Sequence, residues 1–347
     1  MTGLAALAIT LAMAPGLRAP DLPMPPIEVL VGTPPPASLD AATWMLYSVD
    51  EEAEIWSRDP DQQRPPASVT KVMTALLVLE EGDLRALEVI SAAADSTPIG
   101  YPGQPQVVAG EQWNVGELLD LLVVKSANDV ATALAEHVSG SEDAFVEQMN
   151  ERARELGMTS TTFRNPHGLD ATGHLSTARD LITLGRAAID NPRLVASSRI
   201  RFFTLQPPGR PLMELDNTNK LVGTFPGVYG LKTGDTASAG LVLLSYLDSG
   251  RGRFLGVVMG STDHLAATRE LLAYALTTLG PADYLLAPIA GTELAGTLPE
   301  WLAPRLAGAG RLPDGAQALT PARSTPGGLA IVSAYRDLLP ELLGGAP

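Results

Sequence analysis

The chain has 347 residues, 45% of them hydrophobic, which is enough for a substantial core, and its 24 basic against 39 acidic side chains leave a net charge of -15. That balance excludes a nucleic-acid partner, which needs a basic face, and the composition is not that of a disordered chain. With no cysteine, disulfides, thiol catalysis and zinc-thiolate sites are ruled out, and the four histidines, His137, His167, His174 and His264, show no metal-ligand spacing, so neither metal nor cofactor is expected.

Residues 3–14 form an apolar run followed by Pro15 and Arg18. The run is too short to cross a bilayer and has the length of a signal-peptide core, so residues 1–19 read as a leader and the chain as exported to the periplasm or cell envelope, although no Lys or Arg precedes the run. Pro20, Pro23, Pro25, Pro26, Pro34, Pro35 and Pro36 then deny backbone donors to any sheet or helix, and residues 20–40 read as an extended linker. Folded structure is expected over 41–280. Residues 43–49 and 54–58 pattern as two strands joined by an acidic turn, a first hairpin. Pro65 and Pro66 halt regular structure just before a helix over 68–80, in which Val72, Ala75, Leu76 and Leu79 make a buried stripe and Ser68 sits at the N-terminus.

Asn114, with Glu117 three residues on, resembles a capping box and opens a helix through Leu122; a second helix follows over 129–137, with Ser126-Ala127-Asn128 at the join. Periodicity and caps predict two more helices, over 141–156, closed by Gly157, and over 177–189. Residues 227–233, 239–247 and 253–260 are three short apolar runs with brief connections, which only antiparallel pairing permits. Asp263 caps a last helix ending at Gly280. The fold class is therefore α/β in the α+β sense, an antiparallel sheet flanked by helices with a helical subdomain. Residues 281–347 show no clear periodicity, and Pro340 interrupts a candidate helix over 329–343, so a membrane anchor there is not expected.

The chain holds only four lysines against twenty arginines, and all four lie in or beside short polar motifs: Ser68-Val69-Thr70-Lys71, Lys125 before Ser126-Ala127-Asn128, Asn217-Thr218-Asn219-Lys220, and Lys232-Thr233-Gly234. Codon bias explains the scarcity but not the placement, and only an amine, not a guanidinium, loses its proton near neutral pH. Positions three apart on a helix share a face, so Ser68 and Lys71 can pair as nucleophile and base, provided that burial or a cation such as Lys232 lowers the amine's pKa. Taken alone, Ser-x-x-Lys arises by chance about once in a chain of this length. Ser126 and Asn128 offer a hydroxyl and a carboxamide on a turn, suited to proton relay and amide binding, or simply to helix capping. Lys232 and Thr233 present charge and hydroxyl to an anion, on a strand whose edge Gly234 leaves open for a substrate to lie alongside.

Together and in this order the three motifs match the set shared by β-lactamases and penicillin-binding proteins. The segments Pro65-Pro66-Ala67-Ser68-Val69-Thr70-Lys71-Val72-Met73-Thr74, Asn165-Pro166-His167-Gly168-Leu169 and Gly230-Leu231-Lys232-Thr233-Gly234 look like those of the D-alanyl-D-alanine carboxypeptidase family of low-molecular-weight penicillin-binding proteins. The resemblance covers 41–280 and implies a β-lactamase/transpeptidase-like fold. It implies that Ser68 attacks the carbonyl between the terminal D-alanines of a peptidoglycan stem peptide, that Lys71 takes its proton, and that Ser126 passes a proton to the departing D-alanine. Asn128 would hold the substrate or the lysine. Lys232 and Thr233, with Gly234 beside them, would bind the terminal carboxylate. The backbone N–H groups of Ser68 and Asp235 would form the oxyanion hole, and β-lactams would be trapped at the same serine.

Asp235 departs from the aromatic residue or His that the family often carries, and its carboxylate works against an anionic terminus. Three other readings share these motifs: a peptidoglycan endopeptidase, a class A β-lactamase and a non-catalytic peptidoglycan-binding relative. The β-lactamase needs a deacylating Glu downstream of the second motif, and residues 159–173 contain none. Intact Ser68, Lys71, Ser126 and Lys232 argue against the non-catalytic relative. Lys125 and Lys220 receive no role, and His167 reads as a structural residue.

Overall fold

A computed structural model of the protein describes residues 39–249 and 252–278. Five strands form one antiparallel sheet in the order β2-β1-β9-β8-β7, with β1 Thr43–Ser48, β2 Ala53–Arg58, β7 Val228–Thr236, β8 Gly240–Asp248 and β9 Arg253–Ser261. The chain enters through the β1–β2 hairpin, leaves for a long helical excursion, and returns as the β7–β8–β9 meander, with β9 pairing against β1. Strand β7 is thus left at the edge.

Both faces of the sheet are covered, which is why β1 is buried at all six positions. Its side chains alternate between two cores: Met45 and Tyr47 join the larger one under the helices, and Trp44 and Leu46 join the one beneath α8, His264–Thr278. Asp263 caps α8, its Oδ1 accepting from the N–H of Ala266 at 3.0 Å. The expected end of this helix at Gly280 lies outside the described residues, as do the leader, most of the linker and 281–347. Among the described residues no helix is long and apolar enough to cross a membrane.

The helical side holds α1 Lys71–Glu81, α2 Ala92–Asp95, α3 Val115–Lys125, α4 Asn128–Ser139, α5 Glu142–Glu155, α6 Ala178–Ile189 and α7 Pro192–Ser198. Their caps follow the sequence: Asn114 accepts from Glu117 N–H at 3.3 Å, Ser141 from Ala144 at 3.2 Å and Thr177 from Asp180 at 3.0 Å. Helix α1 departs from the expected stripe. Every residue from Lys71 to Val78 is buried and Leu79 only partly, because α1 runs through the middle of the subdomain with α3, α4, α6 and α7 packed around it. A one-faced pattern belongs to a surface helix, and α1 has no surface face.

Two small hairpins, β3 Leu87–Val89 with β4 Gln112–Asn114 and β5 Phe202–Leu205 with β6 Met213–Asp216, were not expected from the sequence, nor were α2 and α7. All are too short for periodicity to register. Helix α7 nonetheless carried a local signal, since Asn191 caps it and Pro192 is its first residue. Strand β7 also runs on to Thr236 instead of ending at Thr233.

Candidate active site

Ser68 lies in a 3-10 turn, Ala67–Thr70, that leads directly into α1. Pro66, just before it, already has helical backbone angles, φ -83° and ψ -7°, and Ala67 takes a positive φ of 48°. Two glycines, one on the 165–175 loop and one on β7, lie against the serine's backbone. A Cβ on Gly168 would stand 2.0 Å from the Ala67 carbonyl oxygen, and one on Gly234 would stand 2.8 Å from Ala67 Cβ and 3.0 Å from Ser68 N. Gly234 is therefore needed for the close approach of strand β7 to this turn; the edge itself is open because β7 is the last strand of the sheet. Ser68 remains partly exposed, so its hydroxyl can be reached.

One helical turn on, Lys71 is 1% exposed and its Nζ sits 3.0 Å from Ser68 Oγ, 2.6 Å from Asn128 Oδ1 and 2.5 Å from the His167 carbonyl oxygen. A neutral amine has two N–H donors and one lone pair. With the donors on the carboxamide and the carbonyl, the lone pair faces the serine hydroxyl. Burial holds the amine well below its ordinary pKa and the charge of Lys232 lowers it further, while the buried carboxylate of Asp129 opposes both. Asp129 in turn accepts from Val107 N–H at 2.8 Å and Val130 N–H at 2.9 Å.

Ser126 ends α3 in the left-handed region, φ 60°, and Asn128 opens α4 two residues later. Such a turn frees the last carbonyls of α3, and two segments far away in sequence satisfy them. Gln104 donates to Ser126 O at 2.6 Å, Tyr101 OH donates to Lys125 O at 2.9 Å, and the N–H of Thr218 donates to Val124 O at 3.1 Å. Asn128 completes the attachment by donating to Pro98 O at 2.8 Å, so its amide bridges Lys71 and the 98–107 segment. The Ser126 hydroxyl is not among the hydrogen-bond partners of Lys71.

On β7, Lys232 is 2% exposed and Thr233 is buried, while Asp235 is exposed at the open end of the strand. Burial brings the Lys232 amine down to about 7. Thr233 Oγ1 donates to Thr218 Oγ1 at 2.8 Å. Lys125 and Lys220 meet outside this group, on the carboxylate of Asp216. His167 contributes its carbonyl; its ring accepts from Leu169 N–H through Nδ1, and burial, then the charges of Lys71 and His174, push its pKa down to about 3, so it stays neutral. The 165–175 loop is tied down by Asn165, which accepts from Gly168 N–H at 2.6 Å, and by Thr74, which donates to Pro166 O at 2.6 Å. Asp170 reaches across to β7, accepting from Thr236 Oγ1 at 2.7 Å and from Ser238 N–H at 3.1 Å.

The structure thus brings Ser68, Lys71 and Asn128 into direct contact and sets Lys232, Thr233 and Gly234 on the neighbouring strand. It adds Gln104, Asp129, Asp170, Gly168 and Thr218, to none of which the sequence assigned a role. Two of these had a signal, Gly168 inside the quoted Asn165 to Leu169 segment and Thr218 inside the Asn217 to Lys220 motif.

Residues 30–263, more than half of the chain, match the family model described as D-alanyl-D-alanine carboxypeptidase. The chain belongs to the D-alanyl-D-alanine carboxypeptidase family. It is 34% identical over 239 residues to the D-alanyl-D-alanine carboxypeptidase DacC of Escherichia coli, covering 66% of this chain and 58% of that protein. The chain therefore spans under two thirds of the length of this curated relative. Among solved structures it is similar to the D-alanyl-D-alanine carboxypeptidase DacD of Francisella tularensis, at 27% identity and a TM-score of 0.66 over 75% of each chain. It is also similar to a penicillin-binding protein of Listeria monocytogenes in its cefotaxime-bound form, at 28% identity and a TM-score of 0.59, over 71% of this chain and 98% of that one. The carboxypeptidase family's fold, an antiparallel sheet with helices on both faces, is the α+β arrangement that the sequence implied.

Proposed function

We propose that this chain is a serine-type D-alanyl-D-alanine carboxypeptidase that removes the terminal D-alanine from peptidoglycan stem pentapeptides, with residues 41–280 as its catalytic domain. The observation that carries the reading is the buried Lys71 amine, 3.0 Å from the Ser68 hydroxyl. In the first step the Ser68 proton passes to the Lys71 lone pair while Oγ bonds to the carbonyl carbon of the penultimate D-alanine. The N–H groups of Ser68 and Asp235 hold the resulting oxyanion. As the C–N bond breaks, Ser126 passes a proton to the departing amine and is resupplied by the Lys71 ammonium. Water then attacks the acyl-serine, Lys71 again takes the proton, and Ser68 is regenerated.

A peptide adding antiparallel to the free edge of β7 places its C-terminus toward Lys232 and Thr233 and its upstream residues toward Thr236. An anionic terminus there favours the charged form of Lys232, and that charge helps to keep Lys71 neutral. Gly234 gives the substrate's carbonyl access to the serine, and Asn128 holds the lysine. In this reading the enzyme is exported, works in the cell envelope, and is acylated by β-lactams at Ser68. No loop glutamate is available for fast deacylation, and the 165–175 loop meets Lys71 through the carbonyl of His167.

The test is D-alanine release from a defined stem pentapeptide by the purified protein, alongside mass spectrometry of its penicillin adduct. The expected result is release that falls on the order of 10³-fold or more in Ser68→Ala, together with a long-lived adduct on Ser68. Release by Ser68→Ala at the wild-type rate, or rapid multiple turnover of penicillin, overturns the proposal. A crosslinked dimer offered in the same assay separates the endopeptidase, which uses the same acylation with a different leaving group.

A further inference from the structure

Lys125 takes no part in these steps, yet it is a lysine with only 9% of its surface exposed, directly before Ser126. Its ammonium turns away from its own helix. Nζ donates to the main-chain oxygen of Asp216 at 2.9 Å and to its carboxylate at 3.3 Å, and it lies 5.8 Å from the centre of the Tyr101 ring. Two residues beyond Asp216, Thr218 makes a second attachment to α3 through its N–H to Val124 O, and its hydroxyl receives the hydrogen bond from Thr233.

The segment carrying Thr218 is stiff in itself. Asn217 accepts from Asn219 N–H at 2.8 Å and donates to the carbonyls of Ser198 and Ile200 at 3.1 and 2.8 Å. What is left to set is the distance of this segment from α3, and Lys125 spans that gap beside the single main-chain bond from Thr218 N–H to Val124 O. We infer that Lys125 is a positioning residue: by clamping the 216–218 segment onto the end of α3, it fixes the separation between the hydroxyls of Ser126 and Thr233. This rests on the proposed function, in which those two groups meet the amine and the carboxylate of one departing residue. A rigid separation lets both be engaged at once, and loosening it costs rate through misplacement.

The test compares Lys125→Met, Lys125→Arg, Thr218→Val and the Lys125→Met/Thr218→Val double variant. Steady-state kinetics of D-alanine release are measured alongside amide hydrogen exchange over 124–128, 216–220 and 232–236. Lys125→Met and Thr218→Val are each expected to lower kcat/KM about tenfold, and the double variant to lose little more than either, because the two contacts lie in series on one path from α3 to β7. Lys125→Arg, which keeps a donor for Asp216, is expected to recover most of the loss. Exchange is expected to quicken at 124–128 and 216–220 in Lys125→Met, and at 232–236 in Thr218→Val.

Additive losses, unchanged exchange, or wild-type kinetics in Lys125→Met overturn the inference. Should Lys125→Met not fold, Thr218→Val with unaltered exchange at 232–236 overturns it equally. A wild-type protein that releases no D-alanine overturns the functional reading instead, and the exchange arms still decide whether Lys125 clamps the two segments.

Discussion

Lys71 can take the Ser68 proton only as a free amine, so its surroundings decide the pH range of the proposed reaction. Burial and Lys232 push toward neutrality, and Asp129 is the nearby charge that pushes back. On the acidic side, kcat/KM falls as Lys71 becomes protonated; on the alkaline side, anion binding weakens as Lys232, near 7, loses its charge. Asp129→Asn removes the charge and keeps one acceptor oxygen, enough for Val107 N–H, while giving up the bond from Val130 N–H. The Lys71 pKa then falls, and the acidic limb of kcat/KM moves to lower pH, as measured from initial rates across pH. An unmoved limb means that Asp129 serves only to anchor Val107. Of these residues, Ser68, Lys71 and Lys232 were legible from spacing, because the chemistry needs neighbours three apart or adjacent on one element. The contacts of Asp129, Gln104 and Thr218 with Val107, Ser126 and Thr233 respectively were not, even though Thr218 stood in a quoted motif, because each is made across a loop or between elements, where no periodicity records it.

At the scale of elements, the site is a space between the 67–70 turn, the 165–175 loop and strand β7. Asp170 ties the loop to the strand that carries the Asp235 N–H, while Gly168 of the same loop lies against the backbone of Ser68. Both proposed oxyanion donors are therefore referenced to one loop. Asp170→Ala is expected to lower kcat by about tenfold to a hundredfold with little change in the melting temperature, and Asp170→Asn, which retains an acceptor, to restore most of it. Equal losses in the two variants would instead mark the carboxylate's charge as the operative property. The elements around the site were readable where caps are strong, as at Asn114, Ser141 and Thr177, or where short apolar runs recur, as in β7 to β9. Helix α1 misled because a helix packed on every side has no polar face to give it period. The β5–β6 hairpin, which feeds Thr218 toward Thr233, is four residues a strand and lies below what a pattern can resolve.

The whole molecule carries a charge of -15 while its proposed substrate terminus is an anion, and the cation proposed to receive it, Lys232, is buried. Long-range repulsion thus opposes encounter, and short-range attraction begins only inside the groove. Salt screens the first more than the second. The value of kcat/KM for a stem pentapeptide with a free terminal carboxylate is expected to rise about twofold to fivefold from 10 to 150 mM ionic strength. An amidated analogue, lacking the charge, serves as the flat control, and a falling value for the anionic substrate contradicts this account. Composition alone made the charge legible; that it surrounds a buried pair of amines required the fold.

The two glycines beside Ser68 bear on how resistance to an inhibitor can arise. A side chain at Gly168 or Gly234 runs into the backbone of the nucleophile's own turn, so no single replacement there can narrow the groove against a drug and leave the serine in place. Escape from a compound that acylates Ser68 is pushed outward, to the 98–107 segment and the 216–218 connection, whose changes alter the site by degrees. Drug-selected lineages of this protein should carry their substitutions in that outer ring, with the glycines untouched.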